Sequence, residues 1–384
     1  MSSKWKISKG RILLYRVYDI GEEVDLEKSE KILAEAPTSR SKFRLEKMDR
    51  QAVIVSNDPL NVVLGTHSFC HEQKSFMCEV SAKAWEFGTL SLTFEFAIPE
   101  GTSVCESKGL AATIQDYDDL DGFARAKARE LAQQIKAAIG KIKPVEESDI
   151  NEDYILFFIE KFSDGSGRDP VSGSENVADI LAQEDIASLI LNEKDQSLAP
   201  QVYERLYESK LQYFKNDLAV IDWNSAFVVE PSGSMDIPDV IEFALNQLLE
   251  MRYYDDLLDK QLKEIYSAIE LKRTNIFSPK YTNLALAAGQ RYIEIAEIVE
   301  AVENSLKVIG DLYHSIVFRT ASSKFRFKDW QTSIDNKLEN LAKVCTLLLD
   351  HVNNSRSHLL ELIVIALISL ELIPLVEYLQ KLLH

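Results

Sequence analysis

Glycine and proline are scarce in this 384-residue chain, 14 and 10 respectively. That excludes long disordered linkers and leaves room mainly for short connections between regular elements. Cysteine is scarcer still. Cys70, Cys78, Cys105 and Cys345 show no disulfide-rich spacing, as expected of a reducing compartment. Cations are outnumbered, with 43 lysines and arginines against 61 acids, and the net charge of -18 opposes direct binding of DNA or RNA, whose phosphates must each be met by a cation. The same field disfavours a polybasic membrane-surface mode, whereas a hydrophobic anchor is indifferent to it. The first residues, MSSKWKISKGR, are followed by an apolar stretch too short for a signal peptide. The expected location is therefore the cytoplasm or the cytoplasmic side of the inner membrane.

What is present is regular structure of two kinds. RILLYRVY (11–18) reads as a strand, followed by helical spacing in GEEVDLEKSEKILAEAP. Short apolar runs follow at 52–56, 61–65, 76–87 and 90–99, the last two flanking Gly88 and Thr89 as a hairpin. Acids crowd the start and bases the end of a helix expected over 117–143. YILFFIEKF (154–162) reads as a buried strand, 176–191 and 197–214 as helices, and 218–231 as two strands about a polar turn. After Pro238 three long runs keep apolar residues at helical spacing with almost no breakers. The chain is thus expected to be α+β: an N-terminal mixed or antiparallel sheet with helices, then a long-helix bundle, hairpin or coiled coil. Its length implies two domains or a domain with an extension, divided as 1–150, 151–232 and 233–384.

The segment from 359 to 383 is the most informative. Leu360, Leu362, Ile363, Val364, Ile365, Leu367, Ile368, Leu370 and Leu372 make it apolar, on every face between Leu362 and Leu370. A helix of that kind is covered by protein or by lipid. Glu361 and Glu371 oppose a simple span, because an acid near mid-membrane costs on the order of 2.5–3.5 kcal/mol. Each apolar residue returns roughly 0.3–0.6 kcal/mol at the helix centre, which leaves the balance near zero. The reading is a membrane-associated, homo-oligomeric scaffold or tether, with Arg356 as the cytosolic flank and the remaining surface offered to an unidentified protein partner. The alternative is a wholly soluble homo-oligomer with this helix as its core.

LLLDHVNNSRSHLLE followed by LIVIALISLELI resembles the C-terminal signature of the "required for meiotic nuclear division" family, a domain of unknown function with mitochondrial, fungal and bacterial members. The matching positions are Arg356, Leu360, Glu361, Ile363 to Leu370, and Glu371. VIEFALNQLLEMRYYDDLL is similar to that family's middle helix, and LYRVYDIGEEVDL to the start of its bacterial form. Leu362 stands where members often carry tryptophan, which weakens interfacial anchoring. The resemblance implies an α+β domain, long helices, a membrane-proximal C-terminal helix, homo-oligomerisation and no catalytic activity. With no transit peptide read in the sequence, it implies a bacterial-type member.

No catalytic, cofactor or metal residue is assigned. His67, Cys70, His71 and Cys78 offer four soft or borderline ligands within a dozen residues, but adjacent Cys70 and His71 on a strand would face opposite ways. Asp116, Asp118, Asp119 and Asp121 fit a helix N-terminus, and Asp255, Asp256 and Asp259 fit a solvated helix face. The DGSGRDPVSGS loop lacks the Gly-Lys-Ser/Thr ending of a phosphate cradle. There is no Gly-x-Ser-x-Gly elbow, and His314, His351 and His358 lie on predicted helices. The expectation is a non-enzymatic protein; a new type of nucleotide-binding enzyme or hydrolase is the remaining class.

Overall fold

The computed structural model describes residues 5–33 except 22, 59–140 except 72–73 and 116–117, 150–164, 169, 176–178, 186–191, 198–270, short helical pieces between 283 and 296, and 312–383. Among these, the chain divides into two compact units, Met1–Tyr253 with Asn304–Asp329, and Tyr254–Glu303 with Trp330–His384.

The first unit is built on a nine-stranded mixed sheet, so the α+β expectation holds. Its strands are β1 (Trp5–Asp19), β2 (Leu60–His71), β3 (Lys74–Ala84), β4 (Thr89–Ala97), β5 (Thr102–Ser103), β6 (Asn151–Asp164), β7 (Lys210–Leu211), β8 (Leu218–Ile221) and β9 (Ser225–Val229). The spatial order is β2-β3-β4-β1-β6-β9-β8-β7, with β5 paired to β1. All pairs are antiparallel except β6 with β9. The segments on either side of residue 150 therefore contribute to one sheet. The β3–β4 hairpin turns at Gly88, whose φ of 95° is a conformation that costs a side-chain-bearing residue energy. A bulge at Gly65 interrupts the pairing of β2 with β3.

Side chains alternate along the strands, so each face carries its own packing. One face buries Ile12, Leu14, Phe94, Phe96, Ile155 and Phe157 together with α1 (Leu26–Leu33), α2 (Val104–Gln115), α3 (Asp118–Gln134) and α4 (Ile186–Ile190). Helix α5 (Pro200–Tyr207) adds Leu206 and Tyr203 to the same cluster. Helix α3 is shorter than expected: it ends at Gln134 and gives way to a 3-10 turn at Lys136–Ala138. Residues 197–214 are likewise not one helix, because the Asp217 carboxylate accepts the backbone N–H groups of Tyr213 and Phe214, both at 2.8 Å. Such a turn competes with helical pairing. The run at 52–56 lies outside the described residues, as does most of 165–175.

The other face carries the first turns of α6 (Asp236–Glu270) and the helix α7 (Leu312–Lys324). Phe243 of α6 lies 5.6 Å from Trp85 and 5.8 Å from Phe318 of α7. Between these rings runs a buried polar seam. Lys83 of β3 donates to Asp239 at 2.8 Å and Glu242 at 2.6 Å, Ser91 donates to Glu242, and Thr89 donates to Asn246 at 2.6 Å. Positions 239, 242 and 246 recur at helical spacing, so one stripe of α6 reads three adjacent positions of the sheet. Burial opposes the charge on Lys83, but the two carboxylates override it and hold the ammonium above its ordinary range. Burial pushes Asp239 up to about 6 against the attraction of Lys83.

Two measurements check the seam. Lys83→Met leaves Glu242, only 1% exposed, as an unpaired buried acid, and should lower unfolding free energy by about 3–5 kcal/mol in urea melts. Asp239 retains its proton longer in the folded state than in the unfolded one. Its contribution to stability is therefore present below the unfolded carboxyl pKa and lost as pH rises through about 6. Asp239→Asn should gain on the parent protein by about 3 kcal/mol between pH 4 and pH 7; an unchanged difference would refute the assignment.

Candidate functional site

The second unit contains the later turns of α6 and nearly all of α8 (Phe327–Leu383), a helix of 57 residues that measures about 85 Å at 1.5 Å per residue. Ser333 of α8 donates to Asp255 at 2.6 Å, and one turn further along both helices Lys337 lies 2.7 Å from Asp259 and 2.8 Å from Asp255. The two helices consequently run in the same direction. Continued in that register, Glu270, where α6 ends, comes level with Leu348.

Burial on α8 follows this pairing. Ile334, Leu341, Val344, Cys345 and Leu348 are buried, as their spacing predicts, and Leu338 is half-buried. Beyond Leu348 no described residue of α8 is buried. Leu360, Leu362, Ile363, Val364, Ile365, Leu367, Ile368, Leu370 and Leu372 are 47–65% exposed, and Glu361 and Glu371 are exposed beside them. The Arg356 backbone is helical, while its side chain lies outside the described residues. Ser369 returns its hydroxyl to the Ile365 carbonyl at 2.7 Å, so the one polar side chain between Glu361 and Glu371 needs no outside partner. His358 Nδ1 lies 3.4 Å from Glu361 at the N-terminal rim.

The magnitude matters. A fully buried Leu, Ile or Val gains roughly 1.5–3 kcal/mol over an exposed one. Nine such side chains, each about half exposed, leave on the order of 10 kcal/mol unrealised in a single chain. That equals the net stability of a whole domain. Among the described residues no helix is long and apolar enough to cross a membrane. The nine residues between Glu361 and Glu371 rise about 14 Å, against a hydrocarbon core of roughly 30 Å.

The other sequence candidates are dispersed. His67 and Cys78 are register partners on β2 and β3, but His67 Nε2 faces the Leu64 carbonyl at 3.0 Å and its ring packs on Phe123. Burial pushes the Cys78 thiol up to about 12. The side chains of Cys70, His71, Asp116, Asp118 and Asp119 lie outside the described residues. Asp121 is paired with Arg16, Asp256 with Lys260, and Asp255 and Asp259 with Lys337. His314 stands 3.8 Å from Asp236. No described group of histidines, cysteines and acids could hold a metal ion. Sequence reading missed Arg16, Tyr18, Arg125, Asn151 and Asp153, which the fold brings to one cleft; they come from three separate elements, and no local spacing connects them.

The nine-stranded sheet with helices on both faces in one unit, and the long helices of the other, define an α+β protein. The chain belongs to the family described as uncharacterized protein MJ0711, N-terminal domain, whose model matches residues 9–236. It is 21% identical over 271 residues to the uncharacterized protein MJ0711 of Methanocaldococcus jannaschii, covering 70% of this chain and 79% of that relative. No solved structure matches. These findings correct the resemblance to the "required for meiotic nuclear division" family and the bacterial-type assignment that went with it. The family match lies on the α+β part, whereas that resemblance rested mainly on the C-terminal helices. A leucine- and isoleucine-rich helix punctuated by glutamates is a pattern that any helix seeking an apolar environment acquires, so it discriminates poorly between families.

Proposed function

We propose that the protein is a non-enzymatic scaffold that assembles with copies of itself through the distal part of α8, leaving the surface of the α+β unit for a protein partner. The observation that carries this reading is the exposed apolar stretch from Leu360 to Leu372, which has no cover among the described residues of its own chain. Acids at 361 and 371 lie just inside its two ends. In an assembly of helices both can lie at the rims of the apolar layer and keep their water, whereas a bilayer would engulf one of them.

The geometry also bears on stoichiometry. Leu362 to Leu370 turn apolar side chains in every direction, and one partner helix covers a stripe little wider than 100°. Two or more neighbouring helices are needed, which favours an assembly of at least three chains. The same all-round apolarity favours a second reading, in which lipid rather than protein covers the helix.

Light scattering on the full chain in detergent-free buffer tests the proposal. The expected mass is that of three or more chains, and truncation after Asn354 should give a monomer that still unfolds cooperatively. Ile365→Glu, which introduces a charge among the apolar side chains, should weaken association at least tenfold. A full-length monomer, or an assembly that survives the truncation, would overturn self-association through α8. Flotation of the full chain with liposomes, lost on truncation, would replace it with the lipid reading.

A further inference from the structure

We propose that a cleft between the sheet and α3 binds a small oxyanion, a carboxylate or a phosphate group. The cleft encloses about 240 Å³ and is lined by Arg16, Tyr18, Asp121, Arg125, Asn151 and Asp153. Two strands make its floor: in the β1–β6 register Arg16 lies opposite Asp153 and Tyr18 opposite Asn151. Residues two apart on a strand share a face, so all four project toward the side that α3 covers. Helix α3 supplies Asp121 and Arg125, one turn apart on the same surface.

Burial decides which ligand chemistry fits. The two deep members, Arg16 and Tyr18, are both more than nine-tenths buried and both hydrogen-bond donors, while Asp121, Arg125 and Asp153 are exposed. Arg16 donates from Nε to Asp121 at 2.7 Å and from Nη1 to the Tyr15 carbonyl at 3.1 Å. Its Nη2 has no partner among the described residues, although a guanidinium carries five N–H donors in a rigid fork. The Tyr18 hydroxyl likewise has no hydrogen-bond partner among the described residues. Burial, opposed by Arg16, holds that phenol up to about 12, so it donates throughout the neutral range. Asp121 already neutralises one end of Arg16, and Asp153 sits at the solvated rim. Arg125, which forms no ion pair among the described residues, brings a second guanidinium; with Asp121 and Asp153 the lining carries two charges of each sign, so the unpartnered donors at the floor, not a net charge, select the ligand. A group rich in acceptors satisfies the floor; a cation would meet buried donors.

Calorimetric titration of the full chain with inorganic phosphate and with acetate, against chloride at equal ionic strength, tests the site. Saturable binding of one or both anions is expected, with the tighter anion identifying the ligand group. Arg125→Gln removes an exposed side chain and should weaken binding at least tenfold without changing the melting temperature of the free protein. Tyr18→Phe keeps the packed ring and should produce a smaller loss. Absence of saturable binding, or binding indifferent to Arg125→Gln, would overturn the proposal.

Discussion

The buried ion pair of Lys83 with Asp239 and Glu242 fixes the register of α6 on the sheet, and much else follows from that register. An apolar contact tolerates sliding, because one methyl group replaces another at little cost. A buried lysine does not, since a shift of one turn would strand a charge away from water. Ser91 and Thr89 extend the lock along β4. The same helix later presents Asp255 and Asp259, which hold Lys337 of α8. One continuous helix thus carries a sheet-reading stripe in its first turns and a helix-reading stripe in its later ones.

The strands were legible where alternation or continuous apolarity was strong. β1, β6, β8 and β9 emerge near their expected places because a strand buried on both faces needs little else. The first and third of the long helical runs were equally plain, while most of the second, over 282–311, lies outside the described residues; the buried side of α8 appears at the residues whose spacing announced it. Helix α2 went unread, although a local signal existed: Ser103 accepts the Glu106 N–H and Glu106 accepts the Ser103 N–H, the reciprocal cap that begins many helices. The weakness of its apolar face concealed it. Helix α3 was overextended because composition alone does not report where a turn replaces a helix.

The polar sites were less accessible to sequence reading for a different reason. Lys83 lies more than 150 residues from its partners in α6, and a lone lysine in a strand normally indicates a solvent-facing position. Arg16 and Asp121 are similarly distant. Only the sheet order brings such groups together. The apolar surface of α8, by contrast, is entirely local in sequence, so it was visible before any fold was known. What would cover it is not written there, since a sequence lists the demand without naming the supplier.

Among the described residues the sheet itself ends in ways that discourage growth. At one margin β7 has only two residues, and at the other β2 is broken by the bulge at Gly65. A short or kinked border offers an incoming strand few consecutive amides to bond. Edge-to-edge stacking into fibres, whose extent has no natural limit, is thereby disfavoured.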